Sequence, residues 1–108
     1  LDTSFGSSGI VITPINFNAS IYDIAIQPAD DKIVAVGYTF DGILAKVALA
    51  RYEANGSLDT SFGTGGIVTT TVGANAYATS VTLQSDGKIV LTGFTEINQP
   101  QQSILIRY

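Results

Sequence analysis

The segment LDTSFGSSGIV at residues 1–11 returns as LDTSFGTGGIV at residues 58–68, and this internal repeat limits the folds open to the chain more than any other feature. Residues 1–28 align with 58–85, Ala29 is a one-residue insertion, and residues 30–52 align with 86–108. Of the 51 aligned positions 22 are identical, among them Asp2/Asp59, Phe5/Phe62, Gly6/Gly63, Gln27/Gln84, Lys32/Lys88, Gly37/Gly93, Arg51/Arg107 and Tyr52/Tyr108. The period is 57 residues, or 56 past the insertion. That is long for a solenoid rung and suits a four-stranded propeller blade with generous loops. The chain therefore divides into two blade-like units, residues 1–57 and 58–108.

Each unit reads as four strands. In the first, IVIT (10–13) is β-branched, IYDIAIQ (21–27) alternates with period two, KIVAVGY (32–38) is apolar on both faces, and VALARY (47–52) is the fourth. The counterparts are IVTTTV (67–72), ATSVTLQ (78–84), KIVLTGF (88–94) and SILIRY (103–108). Alternation marks a strand with one buried face, and double apolarity marks a strand covered on both sides. Asp86-Gly87 is a hairpin signal. PADD at 28–31 holds Asp31 in place of that glycine and predicts a wider turn. Gly37 and Gly93 inside their strands predict a bulge or a close backbone approach. Residues 1–9 read as a turn anchored by Leu1 and Phe5, and residues 14–20 as a loop. The expected spatial order places 21–27 and 78–84 innermost, followed by 32–38 and 88–94, then 47–52 and 103–108, with 66–71 closing the first sheet. No segment has a helical period. The fold class is all-β, with β-propeller blades completed by other chains or by further repeats; a β-sandwich is the rival.

Composition narrows function. The net charge is −4 with only five Lys and Arg, which argues against a nucleic-acid surface, since phosphate binding needs clustered cations. There is no Cys and no His, so disulfides, thiolate nucleophiles, His-ligated metals and Ser-His-Asp triads have no residues to build on. A mean hydropathy of +0.31 sets the chain apart from disordered sequences. No apolar run reaches membrane-spanning length, Lys46 interrupting the longest. The chain opens at the start of one repeat and stops where the next turn is due, which reads as a portion of a longer polypeptide.

The whole pattern, LDTSFGTGGIVTT, a strand ending in Gln, SDGKIVLTGF, then a strand ending in RY before an NGS turn, resembles the delta-sixty repeat family of bacterial β-propeller repeats. The resemblance covers the chain twice over and implies blades strung together in large exported proteins, with no activity to carry over.

Candidate site residues are weighed against structural roles. A glycosidase needs two carboxylates flanking its substrate, yet most acids here sit beside Gly, Asn or Ser, where Asp stabilises the turn itself. Calcium needs several oxygens together, and the acidic run 28–31 loses an acid in its counterpart. The recurring Asp2, Phe5, Gly6 and Arg51, with Asp59, Phe62, Gly63 and Arg107, read as the structural repeat motif. Each Arg is expected to pair within a blade, with Asp2/Asp59 or Asp30/Asp86 as partners. Tyr38/Phe94 and Tyr52/Tyr108 are expected between blades. The variable loops 39–46 and 95–102 are the candidate interaction surface, with Asp41, Glu96, Asn98, Gln99, Gln101 and Gln102 as its polar groups. The expectation is a non-enzymatic scaffold or interaction module, extracellular or at the cell surface, without cofactor. Its partners would be other copies of the repeat, in a ring, filament or longer array, with glycans or a surface protein as further candidates. A lectin-like propeller of two-blade chains is the first alternative and a hydrolase the second.

Overall fold

The computed structural model describes residues 1–96 and 100–108, and among them no helix forms. Seven strands run β1 (Asn18–Ile26), β2 (Ile33–Phe40), β3 (Ala45–Tyr52), β4 (Ile67–Thr70), β5 (Ala76–Leu83), β6 (Ile89–Thr95) and β7 (Gln102–Arg107). They make two antiparallel sheets, in the orders β1-β2-β3-β4 and β5-β6-β7. The order matches the sequence expectation, including the outer strand that closes the first sheet. β1 and β5 start two or more residues earlier than alternation alone implied, because Asn18 lies opposite Phe40 and Ala76 opposite Thr95.

Turn chemistry separates the repeats only slightly. In the second, the Gln84 N–H donates to the Lys88 carbonyl and the Gly87 N–H to the Gln84 carbonyl, which closes the β5–β6 hairpin. In the first, the Asp31 N–H donates to the Gln27 carbonyl one residue further along, and Asp31 itself takes the positive φ of 58°. The turn is wider, as the inserted Ala29 requires. Gly37 and Gly93 each face a register shift in the neighbouring strand, between Ile21 and Asp23 and between Ala78 and Ser80. A Cβ at Gly93 would overlap the Tyr77 carbonyl oxygen, and one at Gly37 would overlap that of Ser20. Bulge and close approach therefore occur together, twice.

The fourth strand of the first sheet belongs to the second repeat. β4 pairs with β3 from Val47↔Thr70 to Ala50↔Ile67, so the sheet crosses the junction between residues 57 and 58. The equivalent stretch 10–13 is not a strand, contrary to its β-branched composition: Ile10 makes a single bridge to Ser7 and no ladder follows. Its sheet would be the one ahead of β1–β4, and β-propensity without a partner strand forms no ladder. For the same reason Leu1 does not anchor its turn; it is 94% exposed, whereas Leu58 bridges to Tyr52.

The core lies between the sheets. One face of the first sheet, through Val34, Val36, Val47 and Leu49, packs on Ala76, Ala78, Val81, Ile89 and Leu91 of the second. The opposite face of the first sheet holds Ile21, Ile24, Ile26, Ile33, Ala35, Ala50 and Tyr52, which are the repeat counterparts of Ala78, Val81, Leu83, Ile89, Leu91, Ile106 and Tyr108. In β1 it is therefore the polar and small side, Asp23 and Ala25, that turns inward, while Ile24 and Ile26 stay open. Each sheet has a leading face, which receives the sheet before it, and a trailing face, which packs on the sheet after it. Among the described residues there is one such seam, trailing face of sheet one on leading face of sheet two, and one unmatched face of each kind.

Candidate functional site

The recurring LDTSFG residues build a latch. Asp2-Thr3-Ser4 and Asp59-Thr60-Ser61 fold into the same turn, in which the Asp carboxylate accepts the backbone N–H and the hydroxyl of the Ser two residues on. Gly6 and Gly63 follow at φ of 54° and 53° and let the chain reverse. In the second repeat the latch is closed. Asp59, 3% exposed, accepts Arg51 Nε at 2.7 Å and Lys32 Nζ at 2.9 Å, and its N–H donates to the Arg51 carbonyl. The Arg51 guanidinium lies 4.5 Å above the Phe62 ring. Ser61 and then Lys32 and Arg51 hold the Asp59 carboxyl well below its ordinary range, and Asp59 in turn raises Lys32. The pair expected within one repeat is not what forms: Arg51 takes Asp59 of the following repeat rather than Asp2 or Asp30 of its own, because the closing strand of its sheet also comes from that repeat; Asp30 and Asp86 instead accept the amides of Lys32 and Lys88 within their turns.

In the other half the same residues are apart. Asp2 is exposed and bonded only to Ser4, whose hydroxyl and amide keep its pKa low. Arg107 is exposed and has no ion pair among the described residues, and Lys88 meets only Asp86, at 3.5 Å on the surface. Phe5, half-buried, lies against Gly56.

A second set of contacts ties each repeat's entering segment to its own sheet. Tyr52 Oη donates to Thr13 Oγ1 at 2.8 Å, and the hydroxyls of the counterparts Tyr108 and Thr70 also bond each other. Thr39 Oγ1 contacts the carbonyls of Ile15 and Asn18, and Thr95 Oγ1 those of Val72 and Asn75. Burial raises the pKa of the Tyr108 hydroxyl. Across the seam, Asp23 Oδ2 accepts the Val81 N–H at 2.8 Å and the Ser80 hydroxyl at 2.9 Å, which lowers its pKa. Sequence reasoning missed Asp23, because nothing in IYDIAIQ says that its polar side faces a neighbour.

The loops expected to form an interaction surface lie at one rim. β2 and β3 extend into the first of them and leave only residues 41–44 as a turn. There Asp41 accepts the amides of Leu44 and Ile43 and pairs with Lys46 at 2.6 Å, and the Leu44 amide first, then Lys46, push its pKa down. Asn75 links this turn to the second loop: its Oδ1 accepts the Ala45 N–H, and its Nδ2 donates to Glu96 Oε2 at 3.3 Å. Gln101 and Gln102 are exposed at the start of β7, and Asn98 and Gln99 lie outside the described residues. Four aromatic rings run across both sheets: Tyr22 to Tyr38 at 5.8 Å, Tyr38 edge-on to Tyr77 at 5.0 Å, and Tyr77 stacked on Phe94 at 4.9 Å. Tyr38 and Phe94 thus meet through Tyr77, a residue whose counterpart is Ser20 and which the repeat comparison could not single out. Among the described residues no group of His, Cys, Asp and Glu is placed to hold a metal ion, and no helix is long and apolar enough to cross a membrane.

Two antiparallel sheets stacked face to face, one closed by a strand from the next sequence repeat, define a β-propeller repeat protein. A family model described as a domain of unknown function (DUF5122) beta-propeller matches residues 29–62 and 84–108, more than half of the chain, and the chain belongs to that β-propeller family. Comparison with curated proteins and with solved structures finds no match.

Proposed function

We propose that this chain is a non-catalytic propeller module, a scaffold or interaction surface within an exported or cell-surface protein. The observation that carries the reading is how the best-placed polar residues are used. Asp59, Lys32 and Arg51 bond one another, Asp23 bonds the next sheet, and Asp41 bonds its own turn, so these carboxylates are engaged in the fold. None of them pairs with a second carboxylate in the way glycoside hydrolysis requires. Export, and the finer assignment to the delta-sixty repeats, rest on the sequence resemblance. The aromatic row favours one second reading, a carbohydrate-binding surface with Tyr22 at its exposed end, because rings stack on the apolar faces of sugars.

A panel of glycosides and phosphate esters, run beside a glycan array, tests both. The scaffold reading expects neither turnover above buffer nor retained glycan. Turnover abolished by Asp41→Asn would overturn the non-catalytic reading. A retained glycan released by Tyr22→Ala would establish the second one.

A further inference from the structure

We propose that the unmatched leading face and the open latch of this chain are occupied by a second copy of it, docked head to tail through β7. The proposal deepens the scaffold reading, on which it rests, by naming a partner. Both halves of the contact are present in one chain, and the internal seam shows how they fit.

The strand that would join the copies is already in position. In the second repeat, Thr70 is held by Tyr108 of the second sheet while its strand, β4, is paired into the first sheet. In the first repeat, Thr13 is held by Tyr52 in the same way, yet residues 10–13 have no sheet, and Ile12 is 86% exposed. Transferring the β3–β4 register through the repeat alignment sets Ser103 opposite Thr13, Ile104 opposite Ile12, Leu105 opposite Val11 and Ile106 opposite Ile10. Among the described residues the far edge of β7 is unpaired in the second sheet, and such an edge is a template for strand addition.

The side chains agree with that register. Leu49 is fully buried in the internal seam, and its counterpart Leu105 is 72% exposed. Opposite, between the 10–16 segment and the first sheet, lies a cleft of about 220 Å³ lined by Val11, Ile21, Ala35, Ala50 and Tyr52. Their counterparts Val68, Ala78, Leu91, Ile106 and Tyr108 form the wall on which Leu49 packs. Leu105 of one copy fills that cleft in the other. Asp2 then meets Lys88 and Arg107 of the second copy as Asp59 meets Lys32 and Arg51, with Phe5 under the guanidinium. The contact is heterologous and repeats indefinitely or closes into a ring.

Charge reversal tests it. Asp2→Lys and the double variant Lys88→Glu/Arg107→Glu change only exposed groups, so at concentrations where the wild type is monomeric both should unfold close to the wild-type midpoint, Asp2→Lys losing only the two bonds to Ser4. Wild type should show a mass by light scattering that rises with concentration to at least twice 11.3 kDa. Each variant alone sets like charges together and should associate at least about tenfold more weakly. In an equimolar mixture the two variants can alternate. One contact then joins the unaltered Asp2 to the unaltered Lys88 and Arg107, and the next joins the reversed charges, which are again of opposite sign. The mixture should therefore recover association, into even-numbered assemblies. A wild type that stays at 11.3 kDa up to millimolar concentration overturns the proposal, and would leave a neighbouring blade of a longer polypeptide as the occupant. Variants that still assemble, or a mixture that does not recover, overturn it equally. None of these outcomes touches the glycan and turnover assays, so a failure here is distinguishable from failure of the scaffold reading.

Discussion

The two ends of the repeat motif use the same residues to opposite effect. Around Asp59 the motif closes a sheet: a carboxylate is buried between Lys32 and Arg51, β4 completes the ladder, and Leu49 is sealed against the second sheet. Around Asp2 the same motif is folded and rests on the 53–57 turn, the Gly6 N–H donating to the Asn55 carbonyl, but its carboxylate meets only Ser4 and no cation. The turn is thus a property of the DTS sequence, while the latch is a property of two adjacent repeats. The seams differ in polarity as well. Val36 and Val47 on the closed trailing face are replaced by Thr92 and Ser103 on the open one, and Ala25 by Thr82. Fewer apolar atoms leave water when the open face is covered, so its contact is the weaker of the two.

The widest separation between the seams is expected in the leucine pair. Leu49→Ala removes a fully buried side chain and should cost about 2–5 kcal/mol. Leu105→Ala in a dilute monomer should stay within about 0.5 kcal/mol of wild type, as exposed sites do. Urea unfolding of both variants checks this, and equal losses would show that the second sheet's outer face is already covered. A control in which the repeats should agree comes next. Gly37→Ala and Gly93→Ala each drive a Cβ into a carbonyl oxygen of the bulged neighbour and should each cost about 1–3 kcal/mol. A large difference between them would mean that the two bulges are not equivalent.

The smallest effect belongs to the latch, and pH reveals it. Lys32 and Arg51 are 21% and 20% exposed, so both can hydrate when Asp59 is lost. Asp59→Asn should therefore lower the thermal midpoint by less than the leucine change, and Asp2→Asn by less again. The sign of the pH effect follows from the folded-state pKa of Asp59 lying below its unfolded value. Its contribution is present above the ordinary carboxylate range, near pH 4, and is lost as pH falls through the lower folded value. Wild type should lose stability between roughly pH 5 and 2, as expected for a depressed carboxylate, and Asp59→Asn should flatten that slope. An unchanged slope would assign acid sensitivity to other carboxylates.

Much of this architecture is legible without coordinates because it is written twice. The strand order and the in-strand glycines follow from comparing one half with the other, and so does the idea that the recurring Arg meets a recurring Asp, though not that the Asp comes from the next repeat. What escaped has a common cause. The stretch 10–13 has strand composition but no partner, and IYDIAIQ alternates without saying which side is inward; both depend on a neighbouring sheet, which no local pattern encodes. Tyr77 and Asn75 link sheets or loops through contacts made only in the fold. Asp41 was legible as an acid in a variable loop, but its three bonds within and beside a four-residue turn were not.

The displacement of β4 across the repeat junction has a consequence for how such chains grow. A stretch of one period that begins at the LDTSFG motif carries the closing strand of one sheet together with three strands of the next. Splicing such a stretch into the gene at the same phase adds one blade and leaves no sheet short. Duplication can then change the number of blades in whole steps without creating a junction that selection has never seen.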